Sequence, residues 1–139
     1  MKKIVLAGGC FDLLHFGHIH FLKQAKSYGD WLMVALESDE NVRHMKGDAR
    51  PIHTQTQRKE MLESLSFVDE VIALPPMRAD LDYCQLVRNI KPAVIAITEG
   101  DSAKVKKTQQ ANEVGAKLVV IPKIRTLSTS QLVKLLGLE

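Results

Sequence analysis

Two histidines three residues apart, His15 and His18, follow a short apolar run that ends in Gly8 and Gly9. This spacing at the start of a helix lets both imidazoles face one ligand. A helix N-terminus adds unpaired N–H groups and positive potential, and both favour a phosphate. The glycines let the backbone approach that phosphate closely, and Gly17 leaves no side chain between the histidines. The pattern predicts a phosphate-binding loop in which both histidines contact the ligand.

The same two histidines also suit a zinc site. The sequence near them offers no obvious third ligand, so phosphate is the stronger prediction. The chain has two distant cysteines, Cys10 and Cys84, and no CxxC motif. We therefore predict no bound metal ligated by the protein and no disulfide framework, and we expect a reducing, cytoplasmic location.

Short apolar strands alternate with helices along the chain and must position this loop. Strands are predicted at 4–7, 31–36, 68–74, 93–97 and 118–121. Helices are predicted at 18–28, 57–65, 81–90, 103–114 and 130–136. Continuous apolar strands between helices indicate a parallel sheet covered on both faces. We predict an α/β fold, with one Rossmann-like domain over residues 1–139, a five-stranded parallel sheet and the ligand beyond the carboxyl ends of the strands, where strand order reverses.

Length and charge restrict the partners. The chain has 139 residues, of which 45% are apolar, and this is enough for one core. Its net charge of +3 comes from 19 basic and 16 acidic residues, and the basic ones are scattered. We therefore expect small phosphorylated substrates and no nucleic acid. No apolar run approaches the roughly 18 residues that cross a bilayer, so no membrane partner is expected.

The opening segment resembles the signature of the cytidylyltransferase-like nucleotidyltransferases. The matching residues read Gly9-x-Phe11-Asp12-x-x-His15-x-Gly17-His18. The resemblance continues, in order, through Lys46-Gly47, Arg50-Pro51, Arg58, 68–71, Gly100-Asp101 and Ser128-Thr129. It implies an enzyme in which a phosphate oxygen of an acceptor attacks the α-phosphorus of a nucleoside triphosphate in line. Mg²⁺ accompanies the triphosphate, pyrophosphate leaves, and no protein nucleophile is needed.

The resemblance also implies roles for the matching residues. The catalytic residues would be His15, His18 and Lys46. The nucleotide-binding residues would be Gly9, Cys10, Phe11, Gly17, Gly100, Asp101, Arg125, Ser128 and Thr129. The acceptor-binding residues would be Asp12, Lys46, Arg50 and Arg58. Within these sets, Asp12 is expected to organise the loop, Phe11 to anchor it in the core, and Arg58 either to pair with the acceptor phosphate or to cap a surface helix.

The resemblance leaves the substrates open. Residues 45–51, Met-Lys-Gly-Asp-Ala-Arg-Pro, are most similar to the adenylyltransferase domain that activates heptose 1-phosphate. Residues 11–15 are equally similar to glycerol-3-phosphate cytidylyltransferase. We expect ATP or CTP as donor and a sugar or polyol phosphate as acceptor, with FMN adenylylation as the alternative. Relatives often pair, so a homodimer is expected, with residues 57–65 at its interface.

Three other protein classes compete with this interpretation. A dehydrogenase of Rossmann type needs a third glycine at GxGxxG spacing, but residues 15–18 occupy the helix start instead. Aminoacyl-tRNA synthetases share a related His-x-Gly-His signature, but 139 residues leave no room for tRNA-binding domains. A non-catalytic nucleotide-binding or regulatory domain has no need to stabilise a transition state, so the intact His15 and His18 favour an enzyme.

Overall fold

The computed structural model of the protein describes residues 2–125 and 127–138, and in these ranges strands alternate with helices, with two successive helices between the second and third strands. The strands are β1 (Ile4–Gly9), β2 (Trp31–Leu36), β3 (Glu70–Ala73), β4 (Val94–Thr98) and β5 (Lys117–Ile121). The helices are α1 (Phe16–Lys26), α2 (Asp39–Lys46), α3 (Gln55–Glu63), α4 (Asp80–Ile90), α5 (Lys104–Val114) and α6 (Thr129–Leu135). The strands form one parallel sheet in the order β3-β2-β1-β4-β5. The predicted fold class is confirmed.

Apolar side chains cover both faces of the sheet because successive residues of a strand point to opposite sides. On one face, Val5 and Ala7 of β1 pack in a cluster with Leu22 of α1 and Leu62 of α3. The cluster on the other face includes Leu6 of β1, Ile95 of β4, Val87 of α4 and Ala111 of α5. The sheet is thus buried between two helical layers, and a ligand site can form at the carboxyl ends of its strands.

The strand order reverses at β1. The chain runs outward from β1 to β2 and β3, and α4 then returns it to β4 on the other side of β1. The segments that follow β1 and β4 therefore diverge and leave a crevice between them. In the described ranges no helix is both long and apolar enough to span a bilayer.

The sequence prediction missed α2, which it treated as a polar connection. Only Val42 of this helix is a buried apolar side chain, so the helical period is nearly invisible. The sequence signal for α2 lay in the capping residues at its two ends. Ser38 caps the helix by accepting from the backbone N–H of Asn41 at 3.1 Å, and Gly47 ends it with φ of 102°.

Strand β1 is also longer than predicted. Gly8 and Gly9 pair in register with Ala35 and Leu36 of β2, whereas the prediction placed both glycines in the loop. A parallel ladder needs only backbone groups, so glycine can extend it despite its low strand propensity.

Candidate active site

A cleft of about 840 Å³ opens at the point where strand order reverses. Gly8 and Gly9 of β1 and Ile97 and Thr98 of β4 line it. Most of the residues predicted to bind substrate also line it, namely Gly9, Cys10, Phe11, Asp12, His15, Gly17, His18, Lys46, Arg50, Asp101, Ser128 and Thr129. The residues that follow β1, β4 and β5 thus meet in one place.

His15 and His18 cap helix α1 with their own side chains. The backbone N–H of Gly17 donates to Nδ1 of His15 at 3.0 Å. The backbone N–H of His15 donates to Nδ1 of His18 at 3.3 Å. The two rings stack with their centroids 3.9 Å apart, and the Phe11 ring meets His18 edge-on at 5.4 Å. The structure thus fixes both imidazoles at the mouth of one cleft.

Both imidazoles are neutral at physiological pH. Burial, followed by the nearby His15 and Lys46, lowers the pKa of His18 to about 3. Burial also lowers the pKa of His15. Because each Nδ1 accepts a backbone hydrogen bond, the single proton of each neutral ring lies on Nε2. Each histidine can therefore donate an Nε2–H to a ligand oxygen.

The low pKa of His18 predicts a loss of stability in acid. The unfolded chain binds a proton at this imidazole near its ordinary pKa of 6.5, whereas the folded protein resists protonation until about pH 3. The unfolded state binds more protons between these values, so the free energy of unfolding falls as pH drops below 6.5. We expect the protein to lose about 1–2 kcal/mol more than its His18→Asn variant between about pH 7.5 and about pH 5. Urea denaturation of both proteins measures this difference, and equal losses would contradict a neutral His18.

The loop between β1 and α1 holds two non-glycine residues in left-handed conformations. Phe11 has φ of 47° and Leu13 has φ of 52°. Such conformations cost roughly 1–2 kcal/mol each and persist only where the surroundings fix them. The Phe11 ring also explains Gly9, because a Cβ on Gly9 would lie 2.9 Å from that ring.

Asp12 fixes this loop from within. Its carboxylate accepts the backbone N–H groups of Ile52 at 2.7 Å and His53 at 3.0 Å, and it pairs with Nε of Arg50 at 2.8 Å. Burial by itself raises the pKa of Asp12, but the hydrogen bonds from His53, Ile52 and Arg50 outweigh burial and lower it. Side chains of both Asp12 and Arg50 are almost fully buried. Asp12 is thus the organiser of the loop, and its position does not support the predicted contact with an acceptor.

Arg58 is a second residue that organises the loop. Its side chain is buried, and its guanidinium donates to the backbone oxygens of Cys10 at 2.7 Å and His53 at 3.0 Å, and to Asp39 Oδ1 at 2.8 Å. These bonds tie the end of β1 to the starts of α2 and α3. Neither predicted role, an ion pair with the acceptor phosphate or a cap on a surface helix, agrees with this buried position.

The start of α6 is attached to the same loop. Ser128 caps α6 by accepting from the backbone N–H of Gln131 at 3.2 Å. The hydroxyl of Thr129 donates to the backbone oxygen of Leu13 at 3.1 Å. The Thr129 hydroxyl and the Gln131 N–H are therefore occupied within the protein, and the backbone N–H groups of Thr129 and Ser130 are the donors of this turn that bond no other described residue.

Charged residues line the remainder of the cleft. Asp101 accepts from the backbone N–H of Ala103 and from Lys107 Nζ, both at 2.8 Å. Lys46, the last residue of α2, is exposed at the cleft, and its charge lowers the pKa of His18. Arg125 is exposed and is not among the described residues that line the cleft, so its contact with the nucleotide stays a prediction. Gly100, with φ of 84°, turns the chain beside the cleft without lining it.

Glu37 and Tyr83 are two of the polar cleft residues that the sequence prediction missed. The Tyr83 hydroxyl lies 2.9 Å and 3.1 Å from the two oxygens of the Glu37 carboxylate. Forty-six positions separate these residues, and neither belongs to a recognisable motif. The sequence signal for Glu37 was its place directly after the apolar run 31–36, where a strand of a parallel sheet ends. Burial raises the pKa of the Cys10 thiol, which favours its neutral form.

Comparison with known families matches residues 6–134 to the cytidylyltransferase-like family. FAD synthase from Thermococcus kodakarensis is 43% identical over 125 residues, which cover 87% of this chain and 81% of that protein. Bifunctional protein HldE from Desulfatibacillum aliphaticivorans is 35% identical over 136 residues, or 96% of this chain. The chain spans about a quarter of that relative's length, since the match covers 27% of it.

A solved structure shares the fold over nearly its whole length. The lipopolysaccharide core biosynthesis protein from Thermoplasma volcanium superposes with a TM-score of 0.69 and is 26% identical. The match covers 91% of this chain and 99% of that one. The arrangement of sheet and helices described above is therefore that of a known protein of similar size.

Proposed function

Since the chain belongs to the cytidylyltransferase-like family and is a nucleotidyltransferase, we propose that it transfers AMP from ATP to a small phosphorylated acceptor. The observation that carries the proposal is the histidine pair. Two neutral imidazoles, each with its proton on Nε2, border a cleft that ends at the first turn of α6. This arrangement offers neutral donors and backbone N–H groups to a chain of phosphates.

The reaction needs positioning and charge stabilisation and no covalent enzyme intermediate. An acceptor phosphate oxygen forms a bond to the α-phosphorus of ATP, and the bond from that phosphorus to the oxygen bridging to the β-phosphate breaks. Pyrophosphate carries away the electron pair. The Nε2–H groups of His15 and His18 stabilise the charge that grows on the transferring phosphoryl oxygens.

Mg²⁺ is proposed to arrive with the triphosphate, as in the family generally. Phosphate oxygens are the hard ligands that Mg²⁺ prefers, and the ion would neutralise part of their charge. In the described part of the chain, no group of three or more His, Cys, Asp or Glu side chains is placed to hold a metal ion.

ATP is favoured over CTP by the relatives. FAD synthase is named for a product that contains an adenylyl group, and it is 43% identical to this chain.

A sugar or polyol phosphate is the proposed acceptor. FMN is the second candidate because the match to FAD synthase covers 81% of that protein, against 27% of the HldE relative. The homodimer and the cytoplasmic location stay predictions.

Lys46 is proposed to bind the acceptor phosphate and to support the transition state. Its side chain is exposed at the cleft, so its loss removes a charge without removing core packing. We expect Lys46→Ala to lower kcat/KM for the acceptor by about 10–100-fold and to change the free energy of unfolding by less than about 0.5 kcal/mol. Steady-state kinetics and urea denaturation measure the two effects. Activity close to that of the unchanged protein would remove Lys46 from the mechanism.

Pyrophosphate release tests the function directly. ATP and CTP, each with Mg²⁺, are crossed with heptose 1-phosphate, glycerol 3-phosphate and FMN, and His18→Asn serves as the blank. Release with ATP and one acceptor identifies the reaction. Release with CTP alone would overturn the choice of donor. A folded protein that binds ATP yet releases no pyrophosphate with any acceptor would favour a nucleotide-binding regulatory domain.

A further inference from the structure

We propose that Glu37 and Tyr83 bind a hydroxyl group of the acceptor, so that the preferred acceptor is a polyhydroxylated phosphate monoester. The inference rests on the proposed adenylyl transfer, because it places the acceptor in the same cleft. It makes Glu37 a specificity-determining residue of that reaction.

Glu37 is a buried carboxylate that can accept more hydrogen bonds than the described residues donate to it. It directly follows β2, is 7% exposed and lines the cleft. In the described ranges, the Tyr83 hydroxyl is the one hydrogen-bond donor to its carboxylate. A carboxylate can accept about four hydrogen bonds. Burial with unused capacity is unfavourable unless water or a ligand supplies further donors.

The position of Glu37 in the sheet places it on the acceptor side. The histidine loop follows β1, which is central, while Asp101 lies beyond β4 on one side and Glu37 beyond β2 on the other. The acceptor phosphate is proposed to contact Lys46, which ends the helix that follows β2, so the space beyond β2 is assigned to the acceptor. Glu37 and Lys46 line the same cleft, and both belong to the segment of chain that follows β2. A molecule whose phosphate contacts Lys46 can therefore bring its neighbouring groups to Glu37.

The charges around Glu37 select among ligand groups. A carboxylate repels a second phosphate, so Glu37 requires a donor group. An ammonium group would meet the charges of Lys107 and Arg58, which already act on Glu37. A neutral hydroxyl avoids both penalties and can donate directly to the carboxylate. The pair Glu37 and Tyr83 also offers an oxygen that can accept in return.

The test compares Glu37→Gln with the unchanged protein on acceptors that have or lack hydroxyls. Glutamine keeps the size of the side chain but removes its charge and one acceptor oxygen. Heptose 1-phosphate, glycerol 3-phosphate and FMN carry hydroxyls near the phosphate, whereas propyl phosphate carries none. We expect Glu37→Gln to lower kcat/KM for the best hydroxylated acceptor by about 10–100-fold, mainly through KM. The loss with propyl phosphate should be less than about threefold, because no hydroxyl bond is made there.

Two further variants keep the experiment specific. Tyr83→Phe removes only the donor to Glu37 and should raise KM for the same acceptor by a smaller factor. Asp80→Asn removes another carboxylate that lines the cleft, bonded to Lys106 at 3.1 Å, and should leave acceptor kinetics unchanged. Affinity for ATP, measured by calorimetry without acceptor, should be equal in Glu37→Gln and the unchanged protein. A merely structural defect would lower it.

The outcomes separate this inference from the proposed function. If the unchanged protein is active and Glu37→Gln keeps its kcat/KM for hydroxylated acceptors within about twofold, the inference is wrong and the function stands. A larger loss with phosphoethanolamine than with hydroxylated acceptors would assign Glu37 to an ammonium group and would also overturn it. If the unchanged protein releases no pyrophosphate with any acceptor, the proposed function fails and this inference fails with it.

Discussion

Replacing His18 by asparagine is expected to lower kcat by about 10²–10³-fold, the usual effect of removing one donor to a transition-state oxyanion. His18 has two functions that can be separated. Its Nδ1 accepts the backbone N–H of His15 and caps α1, while its Nε2–H is the proposed donor to the transferring phosphoryl group. Asparagine can place an oxygen near the position of Nδ1 but reaches no further. The variant should therefore keep the cap and lose the catalytic donor.

Glutamine at the same position is the matched control. Its longer side chain can place an amide N–H near the position of Nε2 but leaves the cap unmade. We expect His18→Gln to be less stable than His18→Asn and yet to retain more activity. Quench-flow or steady-state pyrophosphate release measures kcat, and urea denaturation measures stability. A folded His18→Asn protein with nearly unchanged turnover would remove His18 from the chemistry.

The sequence could predict the histidine pair because its geometry is local. His15 and His18 are three positions apart, and the start of a helix brings them together without any distant partner. The apolar runs likewise predicted all five strands, since a parallel strand buried on both faces is apolar throughout. Ser128, which the family resemblance assigned to the nucleotide, lies just before the predicted last helix and caps α6 in the structure.

The organising role of Arg58 depends on contacts that no local pattern reveals. Arg58 contacts the backbone of Cys10 across 48 positions. A basic residue on a polar helix is typical of a solvated surface, so only the fold shows that this one is buried. The contact between Glu37 and Tyr83 is likewise invisible in the sequence. Glu37 follows β2 and Tyr83 lies in α4, and only the fold brings them together.

Beneath the cleft, buried polar side chains stabilise the loop that carries the histidines. Arg58 fixes the backbone of Cys10, Asp12 fixes the two left-handed residues beside it, and Thr129 fixes Leu13. These side chains hold the loop while the histidines and Lys46 face the cleft. A signature residue of the family can therefore matter through the conformation it stabilises and make no contact with substrate.

Asp12→Asn is expected to destabilise the protein by about 3–5 kcal/mol, the usual effect of breaking a buried ion pair by removing one of its charges. The side-chain exposures of Arg50 and Asp12 are 1% and 0%, so solvent cannot replace the lost charge. The strained loop adds to the effect, because the carboxylate also accepts two backbone N–H groups. The stability that Asp12 contributes is fully present above its ordinary pKa of 3.8 and is lost as pH falls through its lower folded pKa. The difference between the two proteins should therefore persist at every pH from about 5 to about 8.

Asp80→Asn supplies the exposed counterpart. Its pair with Lys106 is exposed on both sides, and surface pairs contribute between about 0 and 1 kcal/mol. A double variant with Asp12→Asn and Arg50→Met removes both buried charges and should recover part of the stability that Asp12→Asn loses. Urea denaturation at neutral pH compares the three proteins. If Asp12→Asn loses no more than Asp80→Asn, the buried pair is not what holds the loop, and the two left-handed residues must be fixed by the bonds from Arg58 and Thr129 alone.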